Sequence, residues 1–184
     1  EGEFIERCLR SLLEQTWPSE RHLIHVVDGG SSDGTREIVA EMQKKSKQND
    51  GPEIILLDNP DKYVPHARNI SLSQLPDEVT HIFEMIGHVW LPSQHIEARM
   101  NEFDEIESKL AIDGKKLAGV GTLVKESDQP LKLVGRWVEA SLQNPLASGR
   151  GQFAQFSGLQ ETIIPPFTIY RRDAIEAAEG WNTD

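Results

Sequence analysis

His22 to Met42, HLIHVVDGGSSDGTREIVAEM, is the stretch whose reading decides the fold. Leu23, Ile24, Val26 and Val27 form a short apolar run, partly β-branched, which is how a buried parallel strand reads. Asp28 ends the run, and Gly29, Gly30, Ser31, Ser32, Asp33 and Gly34 follow it. Ile38, Val39 and Met42 then recur at helical spacing. The unit is strand, Gly-rich turn, helix, and its turn lies at the carboxyl end of a strand, where open α/β sheets bind ligands. Small residues let a ligand approach the backbone, and Asp33 or Ser32 can cap the new helix. The turn lacks the Lys-Ser/Thr of a phosphate loop and the G-x-G-x-x-G dinucleotide spacing, so alone it reads equally well as a tight connection. Asp28 adds chemistry: a carboxylate at a strand tip cannot clamp a phosphate, but it accepts hydrogen bonds from a nucleobase or a sugar.

The chain has 184 residues, enough for one domain with a core, and a net charge of −11. That charge argues against a nucleic-acid surface and leaves diphosphates to local cations. A single cysteine, Cys8, rules out an internal disulfide and a cysteine-based zinc site. No apolar run approaches the length of a membrane span, and no signal-peptide pattern is present. The opening Glu1-Gly2-Glu3 reads as an internal start, so residues 1–184 are expected to be a single domain within a longer protein.

Before the central unit, Glu3 to Gln15 reads as a helix whose stripe is Phe4, Ile5, Cys8, Leu9, Leu12 and Leu13. Cys8 sits in that stripe and reads as core packing. After the unit, Glu53 to Leu57 is a second strand, closed by Asp58-Asn59-Pro60. Pro65 to Leu75 reads as a helix with Ala67, Ile70 and Leu75 inward. His81 to Met85 is a third strand, running into Ile86-Gly87-His88. Ser93 is placed to cap a helix with the stripe Ile96, Met100, Phe103, Ile106 and Leu110. Leu117 to Val124 reads as a strand, Leu131 to Leu142 as a helix, and Asn144 to Gly158 as a Gly/Ser-rich loop. Thr162 to Tyr170 reads as extended and Asp173 to Ala178 as a short helix. Alternating strands and helices predict a mainly parallel sheet with helices on both faces.

Several of these segments resemble the family 2 glycosyltransferases. Glu1 to Gln15 is similar to that family's first helix, which there follows a strand ending in Asn-Glu. Val26-Val27-Asp28-Gly29-Gly30-Ser31-Ser32-Asp33-Gly34-Thr35 resembles its V-D-D/G-G-S-x-D-G-T signature. Ala67-Arg68-Asn69 resembles its A-R-N helix start, and Pro166 to Arg172 with Gly180-Trp181 its acceptor-side segment. Within the family the pattern looks closest to the succinoglycan-type exopolysaccharide glycosyltransferases. The resemblance implies a GT-A, Rossmann-like α/β fold that here lacks its first strand and C-terminal part. It implies transfer of a sugar from a nucleotide-sugar donor to an acceptor hydroxyl in polysaccharide, glycolipid or glycoprotein glycan synthesis.

By the same resemblance, Asp28, Gly29, Gly30, Ser31 and Asp33 belong to the donor site, with Asp28 on the nucleobase or ribose. Arg68 and Asn69 would lie near the donor, and the Arg68 fork suits a diphosphate. Its plain alternative is a solvated helix-face cation, and His66 reads as a surface histidine. Arg171 and Arg172 would lie on the acceptor side, or simply start a helix as exposed cations. The catalytic base of the family falls downstream of the Gly-Trp segment and would lie beyond Asp184. The resemblance also implies a cytoplasmic location. A lipid-linked acceptor would put the protein at the inner face of the membrane, held there only by segments outside this chain.

After the third strand the family places Asp-x-Asp or Asp-x-His, whose oxygens hold Mg²⁺ or Mn²⁺ against the donor diphosphate. This chain has Ile86-Gly87-His88. A hydrocarbon replaces the first acid, which leaves His88 and, two residues before Ile86 on the same strand side, Glu84 as candidate ligands. Glu84 also reads as an ordinary polar strand residue. Loss of that acid keeps open a second reading, a non-catalytic nucleotide-sugar-binding or scaffold module. A nucleotidyltransferase would want a basic Gly-rich loop, which the central turn lacks. Arg136-Trp137 resembles part of the Q-x-x-R-W of processive synthases, but Leu133 stands in the Gln position. Trp137 is therefore read as core or interface, covered by Arg136. Gln143 to Gly158 could order over a ligand as a lid.

Overall fold

The computed structural model describes residues 2–122, 132–142, 144, 161–162 and 167–184. The central unit forms as the sequence predicts. Strand β1 is Leu23–Asp28, helix α2 is Thr35–Gln48 and strand β2 is Glu53–Asp58. β1 and β2 pair in parallel, from Leu23 opposite Glu53 to Asp28 opposite Asp58. Helix α1, Ile5–Leu13, packs with α2 on one face of this ladder. Ile5, Leu9, Ile24, Val39, Met42 and Ile54 are the buried core there, with Val26 against it. His25, which points the other way, bonds Ser71 Oγ of helix α3 (Val64–Ser73) at 3.0 Å, so α3 covers the opposite face. Leu9 is 1% exposed, and truncating it to Ala would cost about 2–5 kcal/mol.

The remaining strands form a second sheet of order β3-β5-β4: β3 is His81–Phe83, β4 is Gly119–Val120 and β5 is Ile169–Arg171. β5 runs antiparallel to both neighbours. The α/β class with a parallel ladder stands, and this antiparallel trio adds to it. Pairing of a late strand with two early ones leaves no local mark in a sequence, which is why alternation alone pointed only to parallel strands. Helix α4, His95–Ile112, covers the trio by burying Phe103 and Ile106 against Val120 and Ile169. Gly119 is fixed by close approach, since a Cβ there would sit 2.9 Å from the Ile169 carbonyl oxygen.

The element ends differ from the sequence expectation for identifiable reasons. α1 stops at Leu13, and the Gln15 amide instead donates to the Ser11 and Pro92 carbonyls, each at 2.8 Å. Ser93 does not cap α4. The Ile96 N–H in its first turn donates to Gln15 Oε1 at 3.0 Å, so the cap is supplied from 81 residues away. In the strand expected at 117–124 only Gly119–Val120 is paired, and 123–124 lie outside the described residues. The loop expected at 144–158, apart from Asn144, and Pro165-Pro166 also lie outside them. Helix α5 (Leu133–Leu142) and helix α6 (Arg172–Ala177) form close to where they are predicted. Trp137 in α5 is 63% exposed, which corrects the core reading of that residue. Cys8 is buried, as its place in the α1 stripe predicts. No helix among the described residues is long and apolar enough to cross a membrane.

Candidate functional site

The parallel register sets Asp28 beside Asp58 at the carboxyl ends of β1 and β2. Asp28 is buried and its carboxylate is fully engaged. It accepts from the Gly30 N–H at 3.1 Å, from the Ser31 N–H at 3.1 and 3.2 Å, and from Arg36 Nη1 at 2.9 Å. Gly30 reaches its place at φ +85°, a conformation that costs glycine little. Burial pushes the Asp28 carboxyl up, but the bonds from Ser31, Arg36 and Gly30 outweigh it and hold the pKa below the usual carboxylate value. Arg36, in the first turns of α2, also donates to Asp58 Oδ1 at 2.6 Å. Bonds to the two carboxylates raise its pKa further, so it stays charged. Asp58 itself is exposed, with 78% of its side chain open to solvent.

The rest of the turn is built on the same logic. Asp33 Oδ1 accepts from the Thr35 N–H at 3.2 Å and from the Thr35 hydroxyl at 2.6 Å, but the N-cap position of α2 is Gly34, at φ +88°, so neither Asp33 nor Ser32 is the capping residue the sequence predicts. The other Asp33 oxygen takes the Gly2 N–H at 2.9 Å, which brings the start of the chain to the turn. The loop after β2 closes over the turn: the Asn59 N–H donates to the Asp28 carbonyl at 2.8 Å, and Asn59 Nδ2 to the Tyr63 carbonyl at 3.1 Å. Lys62 lies across the two glycines. A Cβ on Gly29 would be 3.6 Å from Lys62 Cα, and one on Gly30 would be 4.0 Å from Lys62 Cε.

Arg68 and Asn69 lie further along, on α3. Arg68 is ion-paired with Glu84, just past the end of β3, and its guanidinium stands 5.9 Å from the Trp181 ring. Asn69 grips the Trp181 backbone, donating from Nδ2 to the carbonyl at 2.8 Å and accepting the N–H at 2.9 Å. Two segments on which the family resemblance rests, A-R-N and Gly-Trp, are therefore in direct contact.

Ile86 and His88 are exposed on the loop after β3. That loop is bolted to α1. Leu91 N–H donates to Ser11 Oγ at 3.1 Å, Thr16 N–H to the Ser93 carbonyl at 2.8 Å, and Arg7 stacks on Trp90 at 3.4 Å. A divalent cation held on carboxylates does not fit these residues. Position 86 offers a hydrocarbon, and the Glu84 carboxylate is committed to Arg68. Among the described residues no three His, Cys, Asp or Glu side chains come together as a ligand set.

Among the described residues Arg171 has no contact with this group, whereas Arg172 lines a groove between α3 and α6 together with Asn69 and Gly180. Arg171 pairs with His81 in the β3–β5 ladder, at the opposite end of β3 from Glu84. It is ion-paired with Glu107 and, at 2.6 Å, with Asp173. Arg172 bonds Glu176 at 2.7 Å and the Pro76 carbonyl at 2.6 Å. His66 pairs with Asp61 at 3.1 Å, on a part-exposed helix face as expected. The sequence reading missed Arg36, Asp58 and Lys62. Asp58 had a usable signal, since it closes β2 as Asp28 closes β1.

A parallel ladder with polar strand tips, helices on both faces and an antiparallel trio beside it is a GT-A-like arrangement, and solved structures carry the same fold. The crystal structure of S. aureus TarS 1–349 matches with a TM-score of 0.60 at 15% identity, over 97% of this chain and 46% of that one. The same protein in complex with UDP gives 0.63 at 16%, with the same coverage. Residues 1–178 match the family model Glycosyl transferase family 2, and the chain belongs to that family. One relative is the glycosyltransferase AglE of Haloferax volcanii, 36% identical over 74 residues, which are 40% of this chain and 23% of that protein. Another is the dolichyl N-acetyl-alpha-D-glucosaminyl phosphate 3-beta-D-2,3-diacetamido-2,3-dideoxy-beta-D-glucuronosyltransferase of Methanococcus voltae. It is 25% identical over 180 residues, 97% of this chain and 52% of that protein. The chain thus spans about half or less of the length of the curated relatives it matches.

Proposed function

We propose that this chain is the donor-binding part of a glycosyltransferase that moves a sugar from a nucleotide-sugar to an acceptor hydroxyl in polysaccharide, glycolipid or glycoprotein glycan synthesis. The observation that carries the reading is the pair of carboxylates at the tips of β1 and β2, held by one guanidinium beside a Gly-rich turn. The Asp28 side chain is closed off from solvent, so its role is to shape the turn and to aim Arg36. Asp58 is the open carboxylate, and it accepts hydrogen bonds from a ribose or a nucleobase. Gly29, Gly30 and Ser31 let the nucleotide lie against the backbone. Asn69 holds the Gly180-Trp181 segment against α3, so Trp181 and Arg68 form one wall beyond the turn.

Three further points extend this reading. The TarS likeness includes a UDP complex, which supports a nucleoside diphosphate donor. The Methanococcus voltae relative is named for a dolichyl-phosphate-linked substrate, which supports a lipid-linked acceptor. The succinoglycan-type pattern rests on the sequence motifs alone. A non-catalytic donor-binding module is the second reading, favoured by one observation, the exposed hydrocarbon at Ile86.

Calorimetric titration of the complete protein with UDP, GDP and ADP tests the reading. At least one is expected to bind saturably, and Asp58→Ala is expected to weaken it by about 0.5–1.5 kcal/mol, the net range for one hydrogen bond. Equal affinity in Asp58→Ala, or no binding of any of the three, would overturn it. Transfer of sugar to any acceptor would exclude the non-catalytic module.

A further inference from the structure

The loop after β2 lays one cation, Lys62, along the Gly-rich turn at the β1 tip, and helix α3 carries a second, Arg68, paired with Glu84 just past β3, while position 86, where the family keeps an acid, carries a hydrocarbon. We propose that this chain holds the donor's diphosphate with Lys62 and Arg68 in place of a carboxylate-bound divalent cation. The inference rests on the donor-binding reading above and concerns how that same site meets phosphate charge.

Lys62 is a non-glycine residue at φ +64°, a conformation that L-residues adopt at a cost. Its side chain runs over Gly29 and Gly30: a Cβ on Gly29 would be in ordinary van der Waals contact with it, and one on Gly30 would reach its Cε at 4.0 Å. Its neighbour Asp61 is bonded to His66 at 3.1 Å, and the Lys62 ammonium makes no ion pair among the described residues. An uncommitted, exposed ammonium laid across a Gly-rich turn at the carboxyl end of a parallel strand is where a phosphate group would come to rest.

Arg68 complements it. Glu84 binds the guanidinium at Nε, the edge nearest its own chain, and the Trp181 ring stands 5.9 Å away. Half-buried and pinned in this way, the guanidinium gives up less rotamer freedom on meeting a second anion with its terminal nitrogens. The same contact removes Glu84 from any metal set. At position 86 the side chain is 42% exposed and apolar, so the loop offers water-accessible hydrocarbon where a hard cation needs oxygen. One salt bridge thus accounts for both changes: the remaining acid near the β3 tip is spent on fixing a cation that belongs to the protein.

The test is binding of UDP, GDP, ADP and their parent nucleosides to the complete protein, in chelator and in millimolar Mg²⁺ or Mn²⁺. Affinity for the preferred diphosphate in chelator is expected to lie within about twofold of that with either metal. Lys62→Gln, an exposed change that leaves the fold intact, is expected to weaken the diphosphate about tenfold in chelator and to leave the nucleoside unchanged. Arg68→Lys, checked for folding by circular dichroism, is expected to do the same. A gain of tenfold or more on adding Mg²⁺ or Mn²⁺ would overturn the proposal and leave the donor-binding reading standing. So would unchanged diphosphate affinity in Lys62→Gln. No nucleotide binding under any condition would overturn both.

Discussion

Asp28 and Asp58 are register partners at the ends of two parallel strands, and one guanidinium joins them: Arg36 Nη1 lies 2.9 Å from Asp28 Oδ2 and 2.6 Å from Asp58 Oδ1. Their surroundings separate their roles. The Asp28 side chain is 2% exposed and bonded on both oxygens, whereas Asp58 stands in water. The buried acid builds the turn, and the open one is the carboxylate left accessible at the strand tips.

Asp28→Asn should destabilise the protein by about 1–3 kcal/mol, because it leaves amide donors and Arg36 facing a weaker acceptor. The pH dependence follows from the lowered folded-state pKa. The stability that Asp28 contributes is present above the unfolded carboxyl value near pH 4 and is lost as pH falls through the folded value. Urea unfolding of both proteins between pH 7 and pH 3 should show the gap narrowing toward the acid end. A gap that widens there would show that the carboxylate is not held in its charged form.

Gly180 has φ +84°, and a Cβ on it would sit 2.6 Å from Asn69 Oδ1. Gly180→Ala should therefore break the Asn69 grip on Trp181 and cost about 1–3 kcal/mol through strain and lost hydrogen bonds. Chemical denaturation followed by tryptophan emission reads both effects. Unchanged stability would mean that the Gly180-Trp181 segment is not docked on α3 in solution.

Much of this was legible in the sequence, for local reasons. The strand, turn and helix from Leu23 to Gln48 follow from a β-branched run, a glycine cluster and a 3.6-residue stripe, all readable within one window. Asp28 and Asp33 stand where turn chemistry needs them. The bond that joins Arg36 to Asp58 depends on the β1–β2 register, which no window contains. The antiparallel insertion of β5 between β3 and β4 is equally non-local. The contacts of Arg171 with Glu107 and of Arg172 with the Pro76 carbonyl are non-local in the same way.

Arg172→Ala should lower the melting temperature, since it unties α6 from the Pro76 carbonyl and from Glu176. It should leave nucleotide affinity unchanged within about twofold. Thermal unfolding and calorimetry on the same variant separate the two readouts. Lost affinity with unchanged stability would return Arg172 to the ligand site.

Trp137→Ala should change stability by less than about 0.5 kcal/mol, the usual range for surface positions. A buried tryptophan would cost about 3–5 kcal/mol instead. A loss in that range would place this face of α5 inside the folded protein.

The most direct measurement of the central claim is hydrogen–deuterium exchange of the complete protein with and without the preferred nucleoside diphosphate. Protection is predicted at residues 28–36 and 58–68, and around Glu84 through its ion pair with Arg68. The groove of about 540 Å³ between α3 and α6 is lined by Asn69, Ser73, Arg172, Glu176, Glu179 and Gly180, and its α6 side, residues 172–179, should show none. Protection confined to that groove, with the strand tips unchanged, would contradict the account.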